Sequence, residues 1–107
     1  MIFISKYIVP KGYEGLTLYP FIFLKRKDLK EDAKLINHEK IHLKQQLELF
    51  IVFFYFLYFF EWCFKLIIYK NKDLAYRNLS FEREAYRHEN NLNYLQERKK
   101  WAFIKYL

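Results

Sequence analysis

LFIVFFYFLYFFEWCFKLIIY, residues 49 to 69, decides the architecture, because the fold depends on where this stretch runs and what covers it. Its first twelve residues, Leu49 to Phe60, carry no polar side-chain group beyond two tyrosine hydroxyls. Twelve is short of the ~20 residues that a spanning helix requires. Extension to Tyr69 admits Glu61 and Lys65, which lie four apart and can pair on a helix face. At a bilayer centre each such charge costs about 2.5 to 3.5 kcal/mol, against about 0.3 to 0.6 kcal/mol gained per Leu, Ile or Phe, so a full span comes out near balance. Three homes suit the segment: the core of the domain, which is the simplest, a contact between copies of the chain in a homo-oligomer, or an interfacial patch dipping into a membrane edge.

The chain of 107 residues is long enough for one domain, 1–107, so core, site and partner surface must share one unit. Every Gly and Pro lies early, at Pro10, Gly12, Gly15 and Pro20, and the character of the sequence changes after them. Residues 1–27 are β-rich, with β-branched and aromatic runs flanking the PKGYEG turn. LTLYPFIFLK reads as an extended strand that tolerates Pro20 by lying at a sheet edge. Residues 31–107 are helical. Asp28, Glu31 and Asp32 gather at a helix start, where carboxylates favour the positive end of the dipole. Along that helix Ile36, Leu43, Leu47 and Phe50 form an apolar stripe; Leu35, His38, His42, Gln45 and Leu49 form a second, with Glu39 between them. YKNKD (69 to 73) is the expected loop, and the last helix begins at Ser80 as N-cap, with a stripe of Phe81, Ala85, His88, Leu92 and Leu95. The expected class is α+β: a small N-terminal β-hairpin or sheet followed by a mainly helical part.

Composition narrows the function classes. The net charge of +7 is dispersed over the chain, with short clusters only at residues 25 to 27 and 97 to 100. No basic face is defined, so nucleic acid is not an expected partner. A single cysteine, Cys63, rules out an internal disulfide, and MIFISKYIV lacks the basic flank and cleavage site of a signal peptide. A reducing, cytoplasmic setting is expected, with membrane association through residues 49–69 as the variant.

The chemistry-bearing motif is HEKIH, His38 to His42. Histidines four apart on a helix share a face, one turn from each other, so both imidazoles can reach one tetrahedral metal. Glu39, offset around the helix, points past such a metal toward a water and can take its proton. A Zn2+ ion held this way serves hydrolysis of an amide, which makes a peptide or protein the expected substrate. SFEREAYRHE (80 to 89) offers carboxylates in the first turn of the second helix, where a third ligand could stand.

HEKIH followed by E-x-x-A at Glu82 to Ala85 resembles the gluzincin zinc metallopeptidases, including the minigluzincins and the membrane-embedded prenyl-protease-like gluzincins. The resemblance covers two short segments. It implies a minimal zincin-like domain with His38, His42 and Glu82 as zinc ligands, Glu39 as general base, and an edge strand similar in position to LTLYPFIF that holds substrate by strand addition. Glu84 is the reserve ligand. Where the family carries an aspartate four residues after the ligand glutamate, this chain has Tyr86, whose phenol can hydrogen-bond a ligand or an oxyanion; His88 and Tyr19 are further oxyanion candidates. Lys40, usually uncharged in the family, is expected to snorkel out past the core stripe.

One helix unbroken from His42 to the 69–73 loop would carry the chain roughly 40 Å away and leave Glu82 opposite residue 60. Metal binding therefore requires a bend, expected between Phe50 and Trp62. The rival is a non-enzymatic basic helical protein, membrane-associated or oligomerising, in which HEKIH is a solvated turn and Glu82 lies far from His42.

Overall fold

A computed structural model describes Met1–Leu107. Three strands, β1 (Ile2–Ile4), β2 (Gly15–Leu18) and β3 (Phe21–Leu24), form one mixed sheet in the order β1-β3-β2. Five helices follow: α1 (Ala33–Glu48), α2 (Val52–Tyr69), α3 (Lys72–Arg77), α4 (Ser80–His88) and α5 (Tyr94–Glu97), with 3-10 turns at Lys27–Glu31 and Ala102–Tyr106. The α+β class is as expected. LTLYPFIFLK is not one edge strand, however. It is a hairpin, with β2 at the edge, β3 central, and Pro20 in the two-residue turn, where its missing N–H is not needed. A tighter turn precedes it: Tyr13 N–H bonds Pro10 C=O, and Gly12 takes the positive φ that this reversal demands.

Asp32 caps α1 by accepting from Leu35 N–H. The other end of α1 is the bend. Ile51 N–H reaches back to Gln46 C=O and Phe50 N–H to Leu47 C=O, the paired bonds of a Schellman cap, with Phe50 at φ 54 and Ile51 at φ 65. This lies at the first residues of the expected window. No glycine or asparagine marks it, because the cap is built on side chains that dislike the left-handed region.

The predicted stripes on α1 are reversed. Leu47 and Phe50 are exposed and Ile36 and Leu43 half-buried against the β3 cluster of Ile22, Leu24 and Leu29, while Asn37, His38, Glu39, Ile41, His42, Gln45 and Gln46 are buried. Lys40 is simply exposed and has nothing to snorkel past. The second apolar cluster joins Ile41, Ala85 and Tyr94; the third joins Phe54, Phe81 and Phe103. Phe54 is the sole fully buried residue of α2, so the aromatic run is not the core of the domain.

Two further departures lie downstream. The expected loop shrinks to Lys70 and Asn71, whose side chain caps α3 by accepting from Asp73 and Leu74 N–H. Ser80 is not a cap but the first residue of α4; its N–H and hydroxyl both donate to the Glu61 carboxylate of α2, at 2.7 and 2.6 Å. Glu61 thus faces the domain rather than pairing with Lys65. The stripe running to Leu95 breaks at Glu89, and Tyr94–Glu97 form a separate turn of helix.

The break at Phe50 has a testable sign. Phe50→Gly is expected to stabilise the protein by about 1 kcal/mol in urea unfolding, because glycine enters the left-handed region freely. A helix continuous through residue 50 would instead lose about 1 kcal/mol.

Candidate metal centre

The Schellman cap turns α2 away from α1 and lets α4 return beside it, bringing Glu82 to the HEKIH histidines. His38 Nε2, His42 Nε2 and Glu82 Oε1 form a triangle with sides of 3.2, 3.1 and 3.3 Å. All three residues are buried, at 5%, 5% and 4% exposure. A solvated HEKIH turn distant from Glu82, as the rival reading required, is therefore excluded.

The outer atom of each side chain is pinned, and the pinning fixes what the inner atom presents. Gln45 Nε2 donates to Phe81 C=O and to the Glu84 carboxylate, so Gln45 Oε1 must accept from His42 Nδ1–H, at 2.8 Å. His38 Nδ1–H donates to Glu89 Oε2 at 2.8 Å. Tyr58 O–H donates to Glu82 Oε2 at 2.8 Å. In the neutral imidazoles both Nε2 atoms then carry lone pairs, and together with Glu82 Oε1 they converge on one point. Such convergence is repulsive unless a cation sits between the atoms. The triangle also fits zinc: ligands about 2.0 Å from a tetrahedral ion stand about 3.3 Å apart, and three of them leave a fourth position open. The group can hold a metal ion, and its donor set of two imidazoles and a carboxylate suits zinc.

Glu84 is no ligand. It is fully buried and committed to Gln45, Tyr94 and Arg98, and Arg98 continues to Glu48 at the end of α1. Its contribution to the site is indirect: it orients Gln45, which orients His42. Tyr86 sets its ring edge against His38, 4.5 Å between centroids, without bonding a ligand. The carboxylate expected at that position is supplied one turn on by Glu89, which the sequence reading missed. Asn37 Nδ2 donates to the carbonyls of His88, Glu89 and Asn91 and so fixes this end of α4 against α1. His88 is drawn away from the centre; its ring stacks on Tyr94 at 3.8 Å and bonds the Tyr106 hydroxyl.

Glu39 stands beside the triangle with Oε1 accepting from Thr17 Oγ1 at 2.6 Å. A cavity of about 290 Å3, lined by β2, Glu39, His42, Glu82 and the α2 residues Phe54, Tyr55 and Tyr58, opens on this side. A second, of about 370 Å3, reaches His38 and Glu89, and Tyr13, Gly15, Glu39 and Tyr76 line both.

Without metal, a proton takes the cation's place. Burial alone would lower the His42 pKa, but the Glu82 charge and hydrogen bond, with the Glu39 charge behind them, raise it from 6.5 to about 9. Burial likewise opposes ionisation of Glu82, and the two histidines overcome it, holding its carboxyl well below the usual range. Because the folded His42 value lies above the unfolded one, the stability of this pair is complete below pH 6.5 and lost as pH rises through about 9. The melting temperature of chelator-treated protein is expected to fall across that window. Zinc needs the Nε2 lone pair, so uptake at neutral pH is expected to release about one proton per chain, read from the dependence of binding heat on buffer ionisation enthalpy. His42→Ala and Glu82→Ala should abolish stoichiometric zinc binding, and Glu89→Ala should weaken it about 10- to 100-fold. Compared with protein-family models, curated proteins and solved structures, the chain matches none of them.

Proposed function

We propose that this chain is a zinc-dependent peptidase with a minimal gluzincin-like site, in which His38, His42 and Glu82 hold the metal and Glu39 is the general base. The observation that carries the reading is the triangle of three lone-pair atoms, each pinned from behind, with a free carboxylate oxygen beside it. Bound zinc would supply a Lewis acid that polarises a substrate carbonyl and acidifies water.

The chain's own residues supply the rest. Glu39 Oε1 is held by Thr17, which leaves Oε2 to take the proton of an attacking water and pass it to the leaving amine. Gly15 keeps that carboxylate in place: a Cβ there would come within 3.0 Å of Glu39 Oε2. Substrate alignment falls to β2. Glu14 C=O accepts from Lys25 N–H, so by antiparallel alternation Leu16 and Leu18 bond β3 while Gly15 and Thr17 turn their backbone groups outward. Gln46 occupies the Thr17 carbonyl, and the outward groups of Gly15 with the Thr17 N–H remain for an added strand. Tyr76, which lines both cavities, is the phenol we assign to the oxyanion; burial, the Glu82 charge and a hydrogen bond shared with Tyr86 raise its pKa, and an oxyanion would take that bond in place of Tyr86. Tyr86 packs on His38 and lines only the second cavity, and His88 is bonded to Tyr106.

Glu39→Gln should retain zinc and fold while losing cleavage in a peptide-library assay read by mass spectrometry, by about 100-fold or more. Tyr76→Phe should lower kcat by about 100-fold with zinc stoichiometry unchanged. Gly15→Ala should also lower kcat, because the methyl group displaces Glu39. Cleavage that survives Glu39→Gln would refute the assignment.

A further inference from the structure

The least buried helix of the molecule is also its most apolar. Phe53, Phe56, Phe59, Phe60, Phe64 and Ile67 of α2 are 57 to 74% exposed. Phe54, Tyr58, Glu61 and Lys65 fall on one narrow arc, and the first three contact the domain through Phe81, Glu82 and Ser80. The remainder, from Tyr55 round to Ile68, is an uncharged arc of about 220° at about 100° per residue. A partner helix covers a stripe of about 100°, so a second copy of the chain would leave most of this surface in water. A bilayer has no such limit.

We propose that α2 lies in the surface of an anionic bilayer as an interfacial anchor. Charge supports that occupant over neutral lipid. Exposed Lys70 and Lys72 flank one end of the helix, and exposed Lys99, Lys100 and Lys105 flank the other, in a segment whose Trp101 N–H bonds Glu48 just before the bend and whose Phe103 packs on Phe81, the ring that also packs on Phe54. The net charge is +7. Trp101 and Ile104 of that segment are themselves 48 and 49% exposed. The helix is long and apolar enough to cross a membrane, but its surroundings keep it in the plane. α3 packs back along α2 with Lys72, Asp73 and Arg77, and Glu61 is fastened to Ser80; a span would drag these groups into hydrocarbon. Because Phe54, Tyr55 and Tyr58 wall the cavity at Glu39, an anchored α2 places that cleft at the bilayer surface. Resting on the peptidase reading, the substrate class is then a polypeptide segment lying on or emerging from a membrane.

The test is flotation of the purified zinc-loaded chain with vesicles of phosphatidylcholine alone or with phosphatidylserine, beside a Phe56→Glu/Phe60→Glu variant. Neither residue lines either of the two cavities at the site, so zinc stoichiometry and helicity should be kept and report on folding. Flotation with phosphatidylserine vesicles is expected, about tenfold weaker without the anionic lipid and about tenfold weaker in the variant, with release by alkaline carbonate. No flotation, equal flotation of the variant, retention after carbonate, or a stable dimer in light scattering that the variant dissolves would each overturn the proposal. Glu39→Gln should float like the wild type. Flotation without cleavage would sink the peptidase reading and leave the anchor, and cleavage without flotation would do the reverse.

Discussion

A carboxylate shut away from water must be met by positive charge or by donors, and Glu82 is the carboxylate around which this small domain is arranged. Its Oε1 faces two imidazoles and its Oε2 takes the Tyr58 hydroxyl, so α1, α2 and α4 are tied together at one residue. The same demand propagates outward. His42 requires Gln45, Gln45 requires Glu84, and Glu84 requires Arg98, which reaches Glu48 and closes the circuit at the far end of α1. Ten of the 23 buried residues are polar or charged, which a chain of this length sustains only because nearly every buried donor and acceptor is paired.

This demand inverts the usual relation between hydropathy and burial. α1, rich in His, Glu and Gln, is the interior helix, since its polar face serves β2 through Glu39 and Gln46, α4 through Gln45, and the end of α4 through Asn37. α2, almost wholly apolar, is pushed outside. Apolar periodicity therefore misleads on both helices: it nominated Leu47 and Phe50 for the core of α1 and the run from Leu49 to Phe60 for the core of the domain, and these residues are mostly exposed. A polar stripe reads as solvated unless its partners are known.

What the sequence made legible was local. The i, i+4 spacing of His38 and His42 and the intervening Glu39 are properties of one helical turn, and the likeness of Glu82 to a family position added the third member. The α+β division followed from where the glycines and prolines stop. The illegible parts are contacts between residues far apart in the chain. Glu89 meets His38 across 51 positions, and Thr17 meets Glu39 across 22; neither short polar residue differs in sequence from many on a surface. The bend was required by distance, yet its place could not be read, because Phe50 and Ile51 adopt a conformation that their side chains oppose. α3 was legible in part, since Asn71 is a good cap, but six residues make too short a periodic signal.

The gluzincin pattern that HEKIH resembles carries an aspartate where this chain has Tyr86, and His38 is oriented here by a different residue. Orientation of His38 needs a negative acceptor behind Nδ1, and helix geometry offers two positions on the same face, residues 86 and 89. Glu89 takes the role from the C-terminal end of α4, where the dipole disfavours a carboxylate. Three features offset that cost: Asn37 holds the carbonyls that would otherwise repel the side chain, Lys34 lies 3.5 Å from Oε1, and His38 donates to Oε2. Tyr86 is then free to cover the outer face of the imidazole. The aromatic bias of this chain thus reaches the candidate metal site itself, and the negative charge behind His38 comes from one turn further along the helix.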